Sequence, residues 1–147
     1  MSAAPASDWP PSRPVMGYNT WYQFRTSITE SAVVRQAELL VGSGLAAAGY
    51  NCVNLDDGWM AAQRAANGEL TGDAAKFPRG MPWLADQVHA LGLRFGLYTA
   101  IGARTCQSLP GSWGHYDQTP ERSHPGVSTS SRSTTAAACP REPAWKR

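Results

Sequence analysis

The chain has 147 residues, enough for one domain, and 42% of them are hydrophobic, which is ordinary for a globular protein. Its net charge of +2 is small and no basic stripe stands out, so composition does not favour a nucleic-acid partner. No apolar run is long enough to span a membrane, and the first residues lack the apolar segment of a signal peptide.

The beginning of the sequence predicts a leader, a strand and the start of a helix. Residues 1–14 are rich in Pro, Ser and Ala and are predicted to be flexible. The stretch VMGYNTW predicts a short strand that leaves into a loop. In SITE, residues 27–30, Ser27 is the predicted N-cap of a helix, and Glu30 completes a capping box.

The first predicted helix is amphipathic and is followed by a second strand. One face of this helix carries apolar residues at helical spacing, and these are Val33, Ala37, Leu40 and Val41. Ser43 and Gly44 are predicted to frame its C-terminal end. YNCVNLD then predicts the second strand, within which Cys52 is interpreted as a small buried hydrophobic residue.

A long irregular segment separates this strand from the second helix. It runs from Trp59 to about Gly80, and loops of this length inside compact domains are mostly functional or disordered. Pro82 is predicted at the first position of the next helix, and Gly92 at its C-terminal cap. The predicted buried face of that helix consists of Leu84, Val88 and Leu91, and LRFGLYT predicts the third strand.

The order β-α-β-α-β predicts a parallel α/β fold, in which ligands bind at the carboxyl ends of the strands. Trp21, Asp56, Asp57 and Tyr98 all follow or end predicted strands, so we expect them at this edge. Two adjacent carboxylates repel each other and are costly to bury, and a ligand rich in hydroxyl groups is one reason to tolerate them. A cap or turn role is the alternative for the Asp pair, and plain packing is the alternative for Trp21, Trp59 and Tyr98. For Trp59 we favour packing.

Four motifs give the chain a resemblance to a known family. They are MGYNTW, GYNCVNLDDGW, FPRGMPWLADQVHALGLRFGLYT and RTCQSLPGSWGHYDQ, in order over residues 16–118. Together they resemble the N-terminal part of family 27 glycoside hydrolases, whose best-known members are α-galactosidases. The resemblance implies about three βα units of a (β/α)8 barrel, which a β domain follows in the family.

The resemblance also implies a function and a set of residues. Family members hydrolyse terminal α-linked galactose with retention and need no metal or organic cofactor. Trp21 and Tyr98 correspond to aromatic residues of the sugar pocket, and Asp56 and Asp57 to aspartates that bind the galactose hydroxyls at positions 4 and 6. Cys106 is included with these substrate-binding residues and corresponds to a cysteine that pairs with one just after strand 4. Galactose and N-acetylgalactosamine remain alternative sugars.

The chain departs from the family pattern at two cysteine positions. Many relatives carry a cysteine after the MGxNxWxxF segment and another in LDDCW, where this chain has Arg25-Thr26 and Gly58. Both partners of that disulfide are therefore replaced together. Cys106 is also expected to have no native bridge, because Cys139 lies several residues beyond the position of the family's partner cysteine.

The resemblance ends after Gln118, where residues 119–147 become rich in Ser, Thr, Pro and Arg and are predicted to be a disordered tail. Codons for VSTSSRSTT can be chosen so that a one-base shift spells Val-Asp-Phe-Val-Lys-Val-Asp-Tyr, close to the family's fourth strand and nucleophile. We therefore hypothesise that residues 15–118 are a partial barrel domain followed by an out-of-frame tail.

This hypothesis predicts a chain without catalytic residues. Retaining glycosidases use two carboxyl groups, and in this family both follow the third strand. We expect a third strand with an unpaired edge and marginal stability. The alternatives are a non-catalytic carbohydrate-binding fragment or a pseudogene product. Extracellular localisation is implied by the resemblance alone, and a nucleic-acid-binding tail is the weakest reading.

Overall fold

A computed structural model describes residues 15–118 and the backbone of residues 127–130. Its parallel sheet has four strands in the order β1-β2-β3-β4, and these are Gly17–Asn19, Cys52–Leu55, Arg94–Tyr98 and Val127–Ser130. The helices are α1 Trp21–Phe24, α2 Glu30–Gly42 and α3 Gly80–Ala90. The predicted parallel α/β fold is confirmed. The leader and most of the expected disordered tail lie outside the described residues.

Helices α2 and α3 cover one face of the sheet and form the core with it. The strand residues on this face are Val53 and Leu55 of β2 and Phe95 and Leu97 of β3, none more than 1% exposed. They pack with the inner faces of the two helices, to which Val33, Ala37, Leu40, Leu84 and Val88 contribute. Both helices are crossover connections between parallel strands, which accounts for their place on one face.

The opposite face of the sheet is polar and partly exposed. Strand residues alternate between faces, so Asn19, Cys52, Asn54 and Tyr98 point away from the helices, and all four are half-buried. This face leads directly to the carboxyl ends of the strands, where the candidate site lies.

The start of α2 differs from the predicted capping box. Thr29 is the N-cap, and its hydroxyl accepts a hydrogen bond from the Ala32 amide at 3.4 Å. Ser27 lies in a short 3₁₀ turn instead, so its predicted N-cap role is wrong. The reason is Ile28, which is extended and fully buried and therefore delays the helix by two residues.

The predicted faces of the helices are confirmed except at their margins. Val41 is 41% exposed because the sheet-facing stripe of α2 ends one position away, at Leu40. Helix α3 begins at Gly80, so Pro82 is its third residue; this position is still in the first turn, where backbone amides have no helical partner. Gly92 follows the helix with φ of 76°, as its predicted capping role requires.

Strand β4 corrects the prediction of an unpaired third strand. Its backbone pairs in parallel with β3, from Phe95 opposite Val127 to Tyr98 opposite Ser130. The expectation that all of residues 119–147 is disordered is therefore wrong for Val127–Ser130. An unpaired edge leaves backbone donors and acceptors without partners, which favours this pairing.

The segment from Trp59 to Gly80, which we call the long loop, is closed at its base. The Lys76 ammonium donates to the Gly58 carbonyl at 2.9 Å, and the Asp73 amide donates to the Trp59 carbonyl at 2.9 Å. Its end is fixed to α2, because buried Glu30 accepts hydrogen bonds from the Arg79 side chain at 2.8 Å and from the Arg79 amide at 3.2 Å. The long loop is therefore an ordered part of the domain.

Gly58 is in contact with Thr26, one of the two residues, Arg25 and Thr26, that stand where the resemblance implies the partner cysteine. A Cβ atom added to Gly58 would lie 3.0 Å from the Thr26 Cα and 3.2 Å from its Cβ. Gly58 also has φ of 95°, a conformation that favours glycine. The structure thus brings together two positions that are distant in the sequence. Only the resemblance to the family suggests that they are paired.

We expect the double variant Thr26→Cys/Gly58→Cys to form a disulfide. The Cβ atoms need to move apart by only a few tenths of an ångström to reach the usual separation of about 3.5–4.5 Å. Closing a loop of roughly thirty residues contributes about 3 kcal/mol or more, and strain at the positive φ offsets about 1–2 kcal/mol of it. Urea unfolding should show a modest stabilisation that reducing agent removes.

Thiol titration supplies the control for this experiment. Under oxidising conditions the double variant should have no more reactive thiols than the unmodified chain. Gly58→Cys alone should lower the free energy of unfolding, since its side chain meets Thr26. Two additional titratable thiols in the oxidised double variant would contradict the placement of these residues.

Candidate sugar-binding site

The predicted site residues gather where β1, β2 and β3 end. Asp56 and Asp57 follow β2 directly, Tyr98 is the last residue of β3, and Trp21 lies two residues beyond β1. Parallel strands bring their carboxyl ends to one edge of the sheet, so these residues share that edge. The structure therefore places Trp21, Asp56, Asp57 and Tyr98 as the sequence predicts.

Asp56 is a partly exposed carboxylate held by β1 and its loop. Its Oδ2 accepts a hydrogen bond from the Asn19 side-chain amide at 2.7 Å, and its backbone amide donates to the Thr20 hydroxyl at 3.0 Å. Asn19 also accepts a hydrogen bond from the Trp21 amide at 2.9 Å. Asn19 thus fixes an acidic and an aromatic residue of the site relative to each other.

Asp57 is buried, with only 3% of its surface exposed, and both of its carboxylate oxygens are engaged. Oδ1 accepts from the Gly58 amide at 2.8 Å, and Oδ2 accepts from the Gln107 amide at 3.0 Å. Hydrogen bonds from backbone amides stabilise a buried negative charge. Asp57 therefore attaches the loop after β3 to the end of β2.

The two carboxylates of the pair have different surroundings. The Asp57 amide donates to Asp56 Oδ1 at 2.8 Å, so the backbone between them also satisfies the first carboxylate. Each carboxylate oxygen has two lone pairs, and the exposed Asp56 retains acceptor capacity toward solvent. Of the two, Asp56 is the one able to meet a ligand without displacing the loop.

The aromatic residues of the site have different environments. Trp59 is 1% exposed and its indole donates to the Tyr98 carbonyl at 2.8 Å, which confirms its interpretation as a packing residue. Tyr98 and Trp21 are half-buried. The Arg25 guanidinium lies 6.0 Å from the centre of the Trp21 ring, the outer limit of a cation–π contact.

Cys106 lies in the loop after β3, beside Gln107, and is disulfide-bonded. The prediction that it has no bridge is therefore wrong. The prediction rested on the spacing between cysteines along the sequence, and such spacing does not fix which residues approach each other in the fold. Thr105 supports the same turn, since its hydroxyl accepts from the Gln107 and Leu109 amides at 3.2 Å each.

Sequence reasoning did not single out Asn19, Thr20 and Gln107. The first two lie in the MGYNTW motif, where a polar residue at a strand end beside the acidic pair could have indicated them. Gln107 acts through its backbone amide, which no side-chain pattern indicates.

A separate cavity of about 350 Å³ lies beside the start of α3. Trp59, Phe77, Met81 and Leu97 line it together with the end of the long loop, so it opens on the helix-covered side of the sheet. None of the predicted sugar-binding residues lines it.

Within residues 15–118, no group of three or more His, Cys, Asp or Glu residues is placed to hold a metal ion. The described helices are all too short or too polar to cross a membrane.

Comparison with known proteins identifies the family. A family model described as Melibiase_2, alpha galactosidase A, matches residues 13–124. The chain belongs to this α-galactosidase family. The match extends past Gln118, into the segment that the sequence assigns to the tail.

Individual relatives agree with the family model. A probable alpha-galactosidase A of Aspergillus terreus is 49% identical over 102 residues, which cover 69% of this chain and 19% of that protein. Alpha-galactosidase A of Aspergillus niger is 46% identical over 105 residues, or 71% of this chain and 19% of that protein. The chain therefore spans only about a fifth of the length of these curated relatives.

Solved α-galactosidase structures share the fold of the described part. Alpha-galactosidase I from Mortierella vinacea superposes with a TM-score of 0.73 and 37% identity, over 76% of this chain and 28% of that one. The Saccharomyces cerevisiae enzyme with raffinose gives 0.70 and 35%, over 72% of this chain and 23% of that one. The described part of the chain is thus a partial parallel β/α portion of the α-galactosidase (β/α)8 barrel.

We expect Asp57→Asn to loosen the loop after β3. Asparagine keeps one acceptor oxygen for Gly58 but turns an amide donor toward the Gln107 N–H, which is left with Thr105 alone. The free energy of unfolding should fall by about 1 kcal/mol. Hydrogen exchange of the Gln107 amide should accelerate, whereas Asp86→Asn, an exposed change on α3, should leave it unaltered. Unchanged protection of Gln107 in Asp57→Asn would contradict the described bond.

The reactivity of the Cys52 thiol tests how far this residue is buried on the polar face of the sheet. Burial raises the pKa of Cys52, and the positive charge of Arg94 partly opposes this. Alkylation by iodoacetamide requires the thiolate, so its rate should rise with pH through a midpoint above that of free cysteine in the same buffer. Arg94→Gln should move the midpoint higher still. A midpoint at or below that of free cysteine would show that the thiol is not desolvated.

Proposed function

We propose that this chain binds terminal α-galactosyl groups through part of the sugar-binding subsite of a retaining α-galactosidase and does not hydrolyse them. The observation that carries the proposal is Asp56, a partly exposed carboxylate that Asn19 and Thr20 hold beside the ends of three strands. A charged acceptor makes stronger hydrogen bonds to neutral hydroxyl groups than a neutral one does.

The surroundings of Asp56 support a sugar as the ligand. Trp21 and Tyr98 flank the same edge as half-buried aromatic residues, which suit the apolar face of a sugar ring. Family membership favours galactose, and the yeast relative has been solved with raffinose. We assign Asp56 to direct contact with a sugar hydroxyl, and Asp57 to holding the loop that closes the site.

The absence of hydrolysis is part of the proposal. Retention requires two carboxyl groups roughly 5–5.5 Å apart that act as nucleophile and acid/base. Asp56 and Asp57 are adjacent in sequence and resemble the sugar-binding pair of the family, so we assign neither of them as nucleophile or acid/base. We propose that the residues after Gln118 are read out of frame, and that the catalytic pair is therefore not encoded.

Resequencing the DNA around codon 118 and beyond tests the reading-frame part separately. A one-base insertion there should restore a continuous family sequence with the Val-Lys-Val-Asp-Tyr motif. If no shifted frame contains that motif, the frameshift is excluded, while the sugar-binding proposal stands on its own test.

Calorimetric titration of the full chain with galactose tests the proposed site. We expect saturable binding that Asp56→Asn weakens about tenfold or more, since a hydrogen bond to a charged group contributes about 1.5–3 kcal/mol. Asp86→Asn is the matched control, because it removes an exposed carboxylate on α3 and should not change affinity. Absence of galactose binding by a folded chain would overturn the proposal and favour a pseudogene product without function.

An assay of chromogenic α-galactoside hydrolysis distinguishes a chain that only binds the sugar from an active enzyme. We expect no turnover above buffer. Turnover that Asp57→Asn abolishes would overturn the non-catalytic part of the proposal.

Extracellular localisation is proposed from family membership alone, and detection of the protein only inside expressing cells would contradict it.

A further inference from the structure

The cavity beside the start of α3 is large enough to hold a small molecule. Its volume of about 350 Å³ lies within the range of about 300–1,000 Å³ that is typical of small-molecule sites. The second half of the long loop, the first turn of α3 and the end of β3 line it. Trp21, Asp56 and Tyr98 are not part of this lining, so the cavity is separate from the proposed galactose site.

The buried part of the cavity wall is apolar. Its members are each at most 5% exposed, and they are Trp59, Phe77, Met81 and Leu97. The side-chain nitrogen of Trp59 is already bonded to the Tyr98 carbonyl, so Trp59 presents only its ring to a ligand. Throughout residues 15–118, every buried side-chain nitrogen and oxygen atom has a hydrogen-bond partner. Water in the cavity would therefore find few side-chain groups to bond, and an apolar ligand is the better occupant.

The lining contains two charged residues, and both are paired. The Glu69 carboxylate accepts a hydrogen bond from the Asn67 side-chain amide at 3.0 Å. The Arg79 guanidinium donates to Glu30 at 2.8 Å and lies 3.3 Å from the centre of the Trp83 ring, which is not part of the cavity. The two charges are opposite in sign, so the lining favours neither an anion nor a cation. A charged ligand would lose hydration against the apolar wall, and a neutral ligand would not.

Hydrogen bonds and prolines hold the cavity open. The Asp73 amide donates to the Trp59 carbonyl at 2.9 Å, and the Phe77 amide donates to the Asp73 carbonyl at 2.8 Å. Pro78 and Pro82 are also part of the lining, and their rings fix the backbone angle φ on both sides of the start of α3. A site that is ordered before binding loses less conformational entropy when a ligand arrives.

Met81 gives the cavity one adaptable wall. A Cβ atom added to Gly72 would lie 2.8 Å from Met81 Cε, so the methionine side chain packs where residue 72 has none. Methionine has three rotatable bonds, and its sulfur makes favourable contacts with aromatic rings. Trp59 and Phe77 add two rings to the same wall, and pairs of aromatic rings attract each other beyond the effect of buried area. This combination favours an aromatic ligand.

We propose that this cavity is a binding site for a small neutral aromatic molecule of one or two rings. The rings of the ligand pack against Trp59, Phe77 and Met81, and the burial of apolar surface supplies the affinity. The proposal goes beyond the proposed galactose function and does not rest on it, because the two sites share no contact residue.

NMR of the methionine methyl groups of the full chain, with indole as the probe, tests the proposal. The chain has four methionines, and Met81→Leu identifies the Met81 signal by its loss. We expect the Met81 signal to shift saturably as indole is added, with half-saturation at about 1 mM or below. The signal of Met16, a 39% exposed residue just before β1, should stay in place.

Charged counterparts of indole test the ligand class. Indole-3-acetate and tryptamine carry the same ring with a negative and a positive charge. Each should bind at least about tenfold more weakly than indole, because its charge has to be desolvated beside the apolar wall. Equal binding of all three molecules would overturn the assignment of a neutral ligand.

Calorimetric titration of variants with indole locates the bound probe. Met81→Trp fills the cavity and should abolish binding. Leu39→Trp is the matched control, since it adds the same side chain at a 45% exposed position of α2 and should leave binding unchanged. Thr71→Trp narrows the entrance at an exposed position of the lining and should weaken binding severalfold, which provides a second variant if Met81→Trp does not fold.

The opposite results would each overturn the proposal. They are an unsaturable shift, equal shifts of the Met81 and Met16 signals, and unchanged indole binding in folded Met81→Trp or in Thr71→Trp. Displacement of indole by galactose would place the probe in the galactose site and would overturn the separate cavity site. Failure of galactose to bind would leave the indole results unaffected, so the two proposals are tested independently.

Discussion

The carboxylate of Asp57 connects the parts of this domain that form the site. It is buried at the end of β2 and accepts one hydrogen bond from the next residue and one from Gln107, fifty residues further along the chain. A buried carboxylate without such partners would be strongly destabilising. The position of the loop after β3 therefore depends on satisfying a single charge.

Much of the fold could be predicted because the hydrophobic pattern and the chain-breaking residues indicate the same helices and strands. The stripe from Val33 to Leu40 has helical spacing, and short apolar runs alternate with these helices, which leads to a parallel sheet. The site follows from the same topology, since Asp56 and Tyr98 end neighbouring strands. These inferences depend on periodicity and strand direction, which the local sequence encodes.

The errors arose where a contact between distant residues decided the local structure. Ser27 and Glu30 have the spacing of a capping box, but the burial of Ile28 moves the cap to Thr29 and leaves Glu30 to bind Arg79. The disulfide of Cys106 and the pairing of β4 with β3 also depend on long-range approach. The role of Gln107 could not be predicted at all, because every residue except proline carries the amide that it uses.

The closed base of the long loop has a consequence for how the family can vary. Lys76 and Asp73 hold the two ends of the segment together beside Gly58 and Trp59, so the residues between them do not set the distance between β2 and α3. Doubling the length of a flexible loop costs only about 0.6 kcal/mol of closure entropy. Insertions near Asn67 would therefore leave the strand ends in place and act on the contact at the tip of the segment, where the Gln118 side chain donates to the Asn67 carbonyl at 3.3 Å.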